Sequence, residues 1–560
     1  MGLSEHFELL FNVPPSSAPN TNRKCPDGMT EKNCVDYLYS PSLDETGVAN
    51  GMWGLFRSYD PTAKATKLQP LPNNPINAKV NTTYSTCPAV LTPPAVKRVY
   101  NVVAVTAEQA LSSISAGQIV FNNRGAKLTS TSGVLYVRAE DLDAQGKLKS
   151  TAPVEPLILR ANAGDCIEVN LTNALAPNSA VFSKQFKFGA PFTNVPVQNK
   201  MSSYVGLHPQ LLSYDAASSY GFDVGWNHEG RPAQVAGFGG GNTVKYTWYA
   251  GKIERATTGK LTYTPVEFGA LNLFPSDQSY QGINGLFGAM IIEPAGSTWD
   301  CDPEIPDCGS KRKCPPGDPT CDPNKLQAGS TRASATVTLP NKSEFREFAL
   351  MISDNLVISG GNTGAVNYRT EPRGFRYGCG VGVDLSCMKS DNLVQQAGPT
   401  PCTSIGAVGD PETPVFTAGI KNGIGQTARF RMTHPFGTGT SQVFTLHGHA
   451  WQRNPYTNNS KAIGNQTLSQ WLGSRDNHGS TDHFDLVVDK SGGEWARPGD
   501  YLYTVFVPNQ QATGAWGIFR VGDKGSSRPT PACGPQSPVY VPPNAQERFV
   551  RQPVNQTPKP

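Results

Sequence analysis

Residues 156–173 read Pro156-Leu157-Ile158-Leu159-Arg160-Ala161-Asn162-Ala163-Gly164-Asp165-Cys166-Ile167-Glu168-Val169-Asn170-Leu171-Thr172-Asn173. Two strands flank an Ala-Gly-Asp turn. Ile167, Val169 and Leu171 alternate with polar residues, the period-2 pattern of a half-buried strand. Outward from here the pattern repeats. Tyr246 to Ala250 reads as a further strand, and Gly285 to Pro294 as the strand that closes a domain. Helical periodicity is weak throughout. Charged residues make up 16%, with 56 Gly and 47 Pro. Short strands with frequent turns predict an all-β chain of sandwich or barrel domains.

At 560 residues the chain exceeds the roughly 250–300 at which one core stops growing, so several domains are expected. A net charge of +4 gives no argument for nucleic acid or an anionic membrane surface. No apolar run of about 18 residues is present, so no transmembrane segment is expected. The twelve cysteines form no CxxC pattern. Cys301, Cys308, Cys314 and Cys321 lie among Pro, Asp and Gly, while Cys25/Cys34 and Cys379/Cys387 are local pairs. Disulfides in an oxidising compartment are the economical reading, with a zinc site in the 301–321 cluster as its competitor. Cys166, inside a strand, is expected to be a disulfide partner.

Three blocks recur in order. Glu5-His6-Phe7-Glu8-Leu9, Asp36-Tyr37-Leu38-Tyr39 and Gly51 to Arg57 match Asp482-His483-Phe484-Asp485-Leu486, Asp500-Tyr501-Leu502-Tyr503 and Gly514 to Arg520. This reads as an internal repeat of a domain's last strands. The second copy closes a domain that begins near 331; the beginning of the domain closed by the first is absent. Either the chain is a piece of a longer polypeptide, or another chain supplies the missing strands, since open sheet edges invite pairing. Residues 1–12 read as a strand rather than a signal peptide. The expected organisation is a domain remnant over 1–75, a domain over 76–295, a Cys/Pro-rich linker over 296–330, a domain over 331–525 and a Pro-rich tail over 526–560.

Phe444-Thr445-Leu446-His447-Gly448-His449-Ala450-Trp451 carries two histidines two residues apart. On a strand such residues share a face, so His447 and His449 read as a pair able to hold metal. The competing reading is a solvent-exposed strand with two surface histidines.

These stretches resemble multicopper oxidases built from cupredoxin domains, most of all the large bacterial multi-cupredoxin oxidases that include manganese oxidases. The resemblance covers about four fifths of the chain and implies tandem cupredoxin-like Greek-key β-sandwich domains. The departures are as telling. At the family's first H-x-H motif stands Leu207-His208-Pro209-Gln210, with Gln210 in place of the second histidine. The second motif falls at Leu273-Phe274-Pro275-Ser276-Asp277, without histidine. In the third, Thr445 stands in the type 1 position and His447 and His449 remain. The fourth falls at Thr504-Val505-Phe506 and Gln510, without its cysteine or histidines; Pro41 to Gly47 in the first repeat is equally empty. The family's full copper set takes more histidines than the eight in this chain.

The resemblance implies a residual mononuclear site of His208, His447 and His449, suited to one copper or zinc ion, against the reading that these are relics holding none. His434 reads as a turn residue or a fourth ligand, His228 as a loop residue, and His6 and His483 as structural. Catalytic residues are not assigned. Three functions compete: a copper-binding or scaffold module of a larger secreted cupredoxin assembly, a copper oxidoreductase acting on metal ions or phenols with other domains or chains, and a structural cell-surface or filament-forming protein. The expected partner is another chain or further N-terminal domains completing residues 1–75, or further copies of the chain in a homo-oligomer or filament. The expected location is extracellular, periplasmic or at the cell surface.

Overall fold

The computed structural model describes residues 8–11, 34–40, 53–59, 86–122, 128–184, 200–222, 224, 232–233, 242–255, 260–302, 331–359, 361–372, 412–418, 423–437, 442–506 and 514–522. Strands dominate. The first hairpin pairs β1 (Cys34–Tyr39) with β2 (Gly54–Tyr59). A first sandwich follows: β3 (Lys97–Thr106), β4 (Val134–Arg138), β5 (Leu157–Asn162), β6 (Cys166–Asn173), β7 (His208–Pro209), β8 (Thr243–Tyr249), β9 (Gly269–Phe274) and β10 (Gly288–Glu293). One sheet has the order β4-β3-β6-β8, the other β5-β10-β9-β7. In each, one pair runs parallel: β3 with β6, and β5 with β10.

The second sandwich comprises β11 (Glu344–Ile358), β12 (Gly361–Val366), β13 (Val415–Ala418), β14 (Ala428–Phe436), β15 (Gln442–Leu446), β16 (His483–Val488), β17 (Gly499–Phe506) and β18 (Trp516–Val521). Its sheets run β12-β11-β14-β16 and β13-β18-β17-β15, with β11 parallel to β14 and β13 parallel to β18. Taken in chain order, these eight strands have the same neighbours and directions as the eight of the first sandwich. The expected all-β, tandem cupredoxin-like Greek-key arrangement is therefore present.

The opening stretch folds as its pattern dictates. Gly164 takes a φ of 92°, which favours glycine, and Asp165 holds the turn by accepting the Asn162 and Val96 N–H groups. Ile167, Val169 and Leu171 are fully buried. Cys166 is bonded to Cys87, as expected of a cysteine inside a strand. Cys301 is also in a disulfide, which removes it from the zinc reading. Cys25, Cys308, Cys314, Cys321, Cys379 and Cys387, His6, His228 and the 526–560 tail also lie outside them. Among the described residues no helix is long and apolar enough to cross a membrane.

The β1–β2 and β17–β18 hairpins share one register: Asp36 faces Arg57 as Asp500 faces Arg520, and Tyr39 faces Gly54 as Tyr503 faces Gly517. Each aspartate accepts a two-pronged guanidinium at 2.7 and 2.9 Å. At each glycine a Cβ would strike the facing tyrosine ring.

The sandwiches meet through a buried ionic cluster. Arg431 on β14 reaches Glu293 on β10 (2.8 Å), Glu347 on β11 (2.8 Å) and Asp485 on β16 (2.9 Å). Arg160 on β5 donates to Glu347 at 2.8 Å. Beside it, Arg429 pairs with Glu267 at 2.5 Å. Two guanidinium groups thus face three carboxylates, Glu293, Glu347 and Asp485. Burial, reinforced by neighbouring Glu347, pushes Glu293 well above the usual carboxylate range. Burial alone would also raise Glu347, but Arg160 and Arg431 hold it at about 2. Glu293 therefore keeps a proton and the cluster is charge-balanced.

Replacing Glu293 with Gln is expected to leave stability nearly unchanged at pH values below the ordinary glutamate range, whereas Glu347→Gln strands two buried guanidinium groups and costs about 3–5 kcal/mol at neutral pH. Glu293 contributes stability that is present below the ordinary glutamate range and lost as pH rises through its raised pKa. The Glu347 contribution is present above that range and lost as pH falls toward about 2. Urea midpoints across pH should therefore show Glu293→Gln removing a loss that sets in as pH rises above the ordinary glutamate range; an unchanged slope there would refute the proton assignment.

Candidate functional site

Strand β15 ends at Leu446, and His447-Gly448 is a turn with Gly448 at φ 73°. The shared strand face expected of His447 and His449 does not form: the turn sends the two rings apart. A Cβ on Gly448 would come within 2.8 Å of the Tyr501 ring, so the tight passage requires glycine. His447 is exposed, and its N–H donates to Leu502 O at 2.9 Å.

His449 points inward. The Gly492 N–H donates to its Nε2 at 3.0 Å, and its Nδ1 lies 3.2 Å from the His447 carbonyl. With Nε2 accepting, the proton sits on Nδ1 and is donated to that carbonyl. The ring packs edge-on to Tyr501 and Phe519 at 4.5 and 5.4 Å. Burial lowers its pKa, opposed by the carbonyl bond.

His208 sits on β7, facing Phe274 on β9. Its ring is walled by Phe222 at 4.7 Å, Tyr220 at 5.1 Å, Tyr214 at 5.7 Å and Phe274 at 6.3 Å between centroids. Nδ1 donates to Tyr220 O at 2.8 Å. Burial depresses its pKa to about 4, so the ring is neutral at neutral pH. Tyr220 also links this cage to the first hairpin by accepting the Leu38 N–H.

The other motif positions carry hydrogen bonds. Gln210 Oε1 accepts from Asn272 Nδ2 at 2.8 Å, and its Nε2 donates across the domain boundary to Thr481 O at 2.7 Å. Asn272 reaches the Asp482 carbonyl as well. Ser276 accepts the Gly206 N–H, and Asp277 accepts those of Ser202 and Tyr280. Thr504 and Val505 lie in β17; Gln510 is outside the described residues.

A copper held by three imidazoles does not fit these residues. Both His449 nitrogens are engaged by backbone, one His208 nitrogen is bound to a carbonyl within an aromatic cage, and His447 faces solvent. Among the described residues no three His, Cys, Asp or Glu side chains are grouped as a metal ion requires. His483 opens β16 and hydrogen-bonds the Ala270 backbone, the structural role expected of it. His434, expected in a turn, is inside β14 and buried. His478, which no motif marked, is buried on the short strand Ser474–His478.

No protein-family model matches this chain, and no curated protein does. Solved structures do. A copper nitrite reductase from Nitrosomonas europaea is 12% identical, with a TM-score of 0.39 over 78% of this chain and 98% of its own. A multicopper oxidase is 13% identical, with a TM-score of 0.36 over 78% and 94%. A laccase from Botrytis aclada is 12% identical, with a TM-score of 0.38 over 82% and 58%. At such distances the likeness transfers no ligand, metal or activity.

Burial depresses the pKa of His208 to about 4 and that of His478 to about 3, and lowers His449 and His483. A base depressed on folding contributes stability that is present above its unfolded pKa of about 6.5 and lost as pH falls through the folded value. Thermal midpoints should therefore drop as pH falls from about 6.5 toward 4. His208→Phe should flatten part of that drop. In proton NMR the His208 ring should titrate near pH 4; a midpoint near 6.5 would count against the buried neutral ring.

Proposed function

We propose that this chain is a cupredoxin-type scaffold module of a larger secreted assembly, in which positions that hold copper in oxidases serve as structural hydrogen bonds. The observation that carries the reading is Gln210. It stands at a first-motif ligand position and instead ties β7 to Asn272 and to Thr481 of the other sandwich. His449 supports it, with both ring nitrogens engaged by backbone groups.

The first hairpin supports the assembly part of the reading. It carries the register, the Asp–Arg fork and the Tyr-over-Gly contact of β17–β18. In the second sandwich those strands are flanked by β13 and β15. A third sandwich completed by further chain, or by a second molecule, would supply equivalents for β1–β2.

The test is copper content after incubation with Cu(II) and desalting, with oxygen uptake measured on a phenol and on Mn(II). The scaffold reading expects no stoichiometric copper that depends on His447 and no oxygen uptake. One copper per chain that disappears in His447→Ala overturns it. Gln210→Ala is expected to lower unfolding stability by about 1–3 kcal/mol, because it leaves Asn272 and the Thr481 carbonyl short of a partner. A loss below a few tenths of a kcal/mol would show that this link does not hold the sandwiches together.

A further inference from the structure

The first hairpin repeats β17–β18 in sequence and register, but not in what covers it. Leu9, Tyr39 and Trp53 match Leu486, Tyr503 and Trp516 of the second sandwich, position for position. The second set is fully buried, each residue at 0% exposure. The first set is 76%, 62% and 53% exposed, and Leu10 and Phe11 beside it are 102% and 58%.

The second sandwich shows what buries such residues. Leu486 faces Phe430 on β14, and Tyr503 packs against Phe416 on β13 and Phe444 on β15. Phe519 packs against Phe348 on β11 and Phe430. Its counterpart Phe56 meets Phe11 and Tyr37, at 5.8 and 6.4 Å between centroids. Among the described residues β1 and β2 form a sheet of two strands. Strand alternation puts Leu38 and Leu55 on the face opposite Phe56. There they pack with Ala216, Tyr220 and Val224 of the first sandwich. The hairpin is thus anchored on one face, while the face of Phe56 and Tyr39 is bare, with Trp53 at its end.

The bare surface is large. A large apolar side chain presents roughly 150–250 Å², so the five exposed residues offer about 700 Å². That exceeds the roughly 300–600 Å² patch of an ordinary monomer. It approaches the roughly 800 Å² per partner of a stable interface. Its charge suits a second surface of the same kind. Asp36 and Arg57 are the only charged residues on the two strands, and they neutralise one another. Two such strand pairs can meet without like-charge repulsion.

We propose that this face is the contact between two copies of the chain, packed face to face about a twofold axis. Each hairpin gives the other the covering layer that β11 and β14 give to β17–β18. Such a contact is isologous and closes at two copies. The proposal rests on the scaffold reading, whose first hairpin needs a cover, and names that cover.

The test is the mass of the full chain, by light scattering and sedimentation, across a concentration series. A dimer is expected, with Phe11→Asp and Tyr39→Lys each weakening association at least tenfold. Both side chains are mostly exposed in a single copy, so the variants are expected to fold, which thermal midpoints check. Trp495→Lys alters an 85% exposed indole between β16 and β17, and is expected to dimerise as the unaltered chain does. A chain that stays monomeric throughout the series, a dimer that both hairpin variants keep, or an open-ended polymer overturns the proposal. The series on the unaltered chain needs no variant to fold. Stoichiometric copper that depends on His447 overturns the scaffold reading whatever the mass; a copper-free monomer overturns the dimer alone.

Discussion

Arg431 fixes how the two sandwiches sit. One guanidinium holds Glu293 from the first sandwich and Glu347 and Asp485 from the second, all without exposure to solvent. Such a group is expensive to bury and returns that cost only when every charge is matched. Arg160 supplies a second cation and a proton on Glu293 removes the surplus anion. The result is directional. Apolar faces of two sandwiches could slide, but an arginine forked among three carboxylates on three strands admits one register. Among the described residues, the Gln210 to Thr481 contact forms within that same register.

Much of the architecture was legible because strands advertise themselves locally. The 156–173 stretch states its period, its turn glycine and its buried face within eighteen residues, and the structure follows it. The repeated Asp-Tyr-Leu-Tyr and Gly-x-x-Gly-x-Phe-Arg blocks were legible for the same reason: a facing Asp–Arg pair and a tyrosine over a glycine are constraints between adjacent strands. The ionic cluster was not legible. Arg160, Glu293, Glu347 and Arg431 are far apart in the chain, and nothing near any of them marks it as fully buried.

The histidine site shows where local reading fails. Two histidines at i and i+2 share a face only if the strand continues, and Gly448 in the left-handed region ends it. His434 looked like a turn residue because a proline follows it, yet Pro435 lies in β14 and the histidine points into the sandwich. His478 had no neighbouring signal at all. Its burial comes from facing Gln442 across a strand pair and the His434 ring across the sheet-to-sheet gap, relations set only by the completed fold.

The difference between holding metal and holding another domain is chemically small at these positions. A neutral imidazole offers one donor and one acceptor at fixed places on a rigid ring. A glutamine amide offers two donors and a carbonyl on a flexible stem. Beside a domain boundary lined by backbone carbonyls such as those of Thr481 and Asp482, the amide can bond both sides at once, as Gln210 and Asn272 do. Once that contact forms, the ring geometry a copper ion needs is gone, and the same strand ends that could gather a cofactor instead lock two sandwiches together. His449 shows the other route to the same end: the imidazole is kept, but the Gly492 N–H occupies its lone pair and leaves none for a metal.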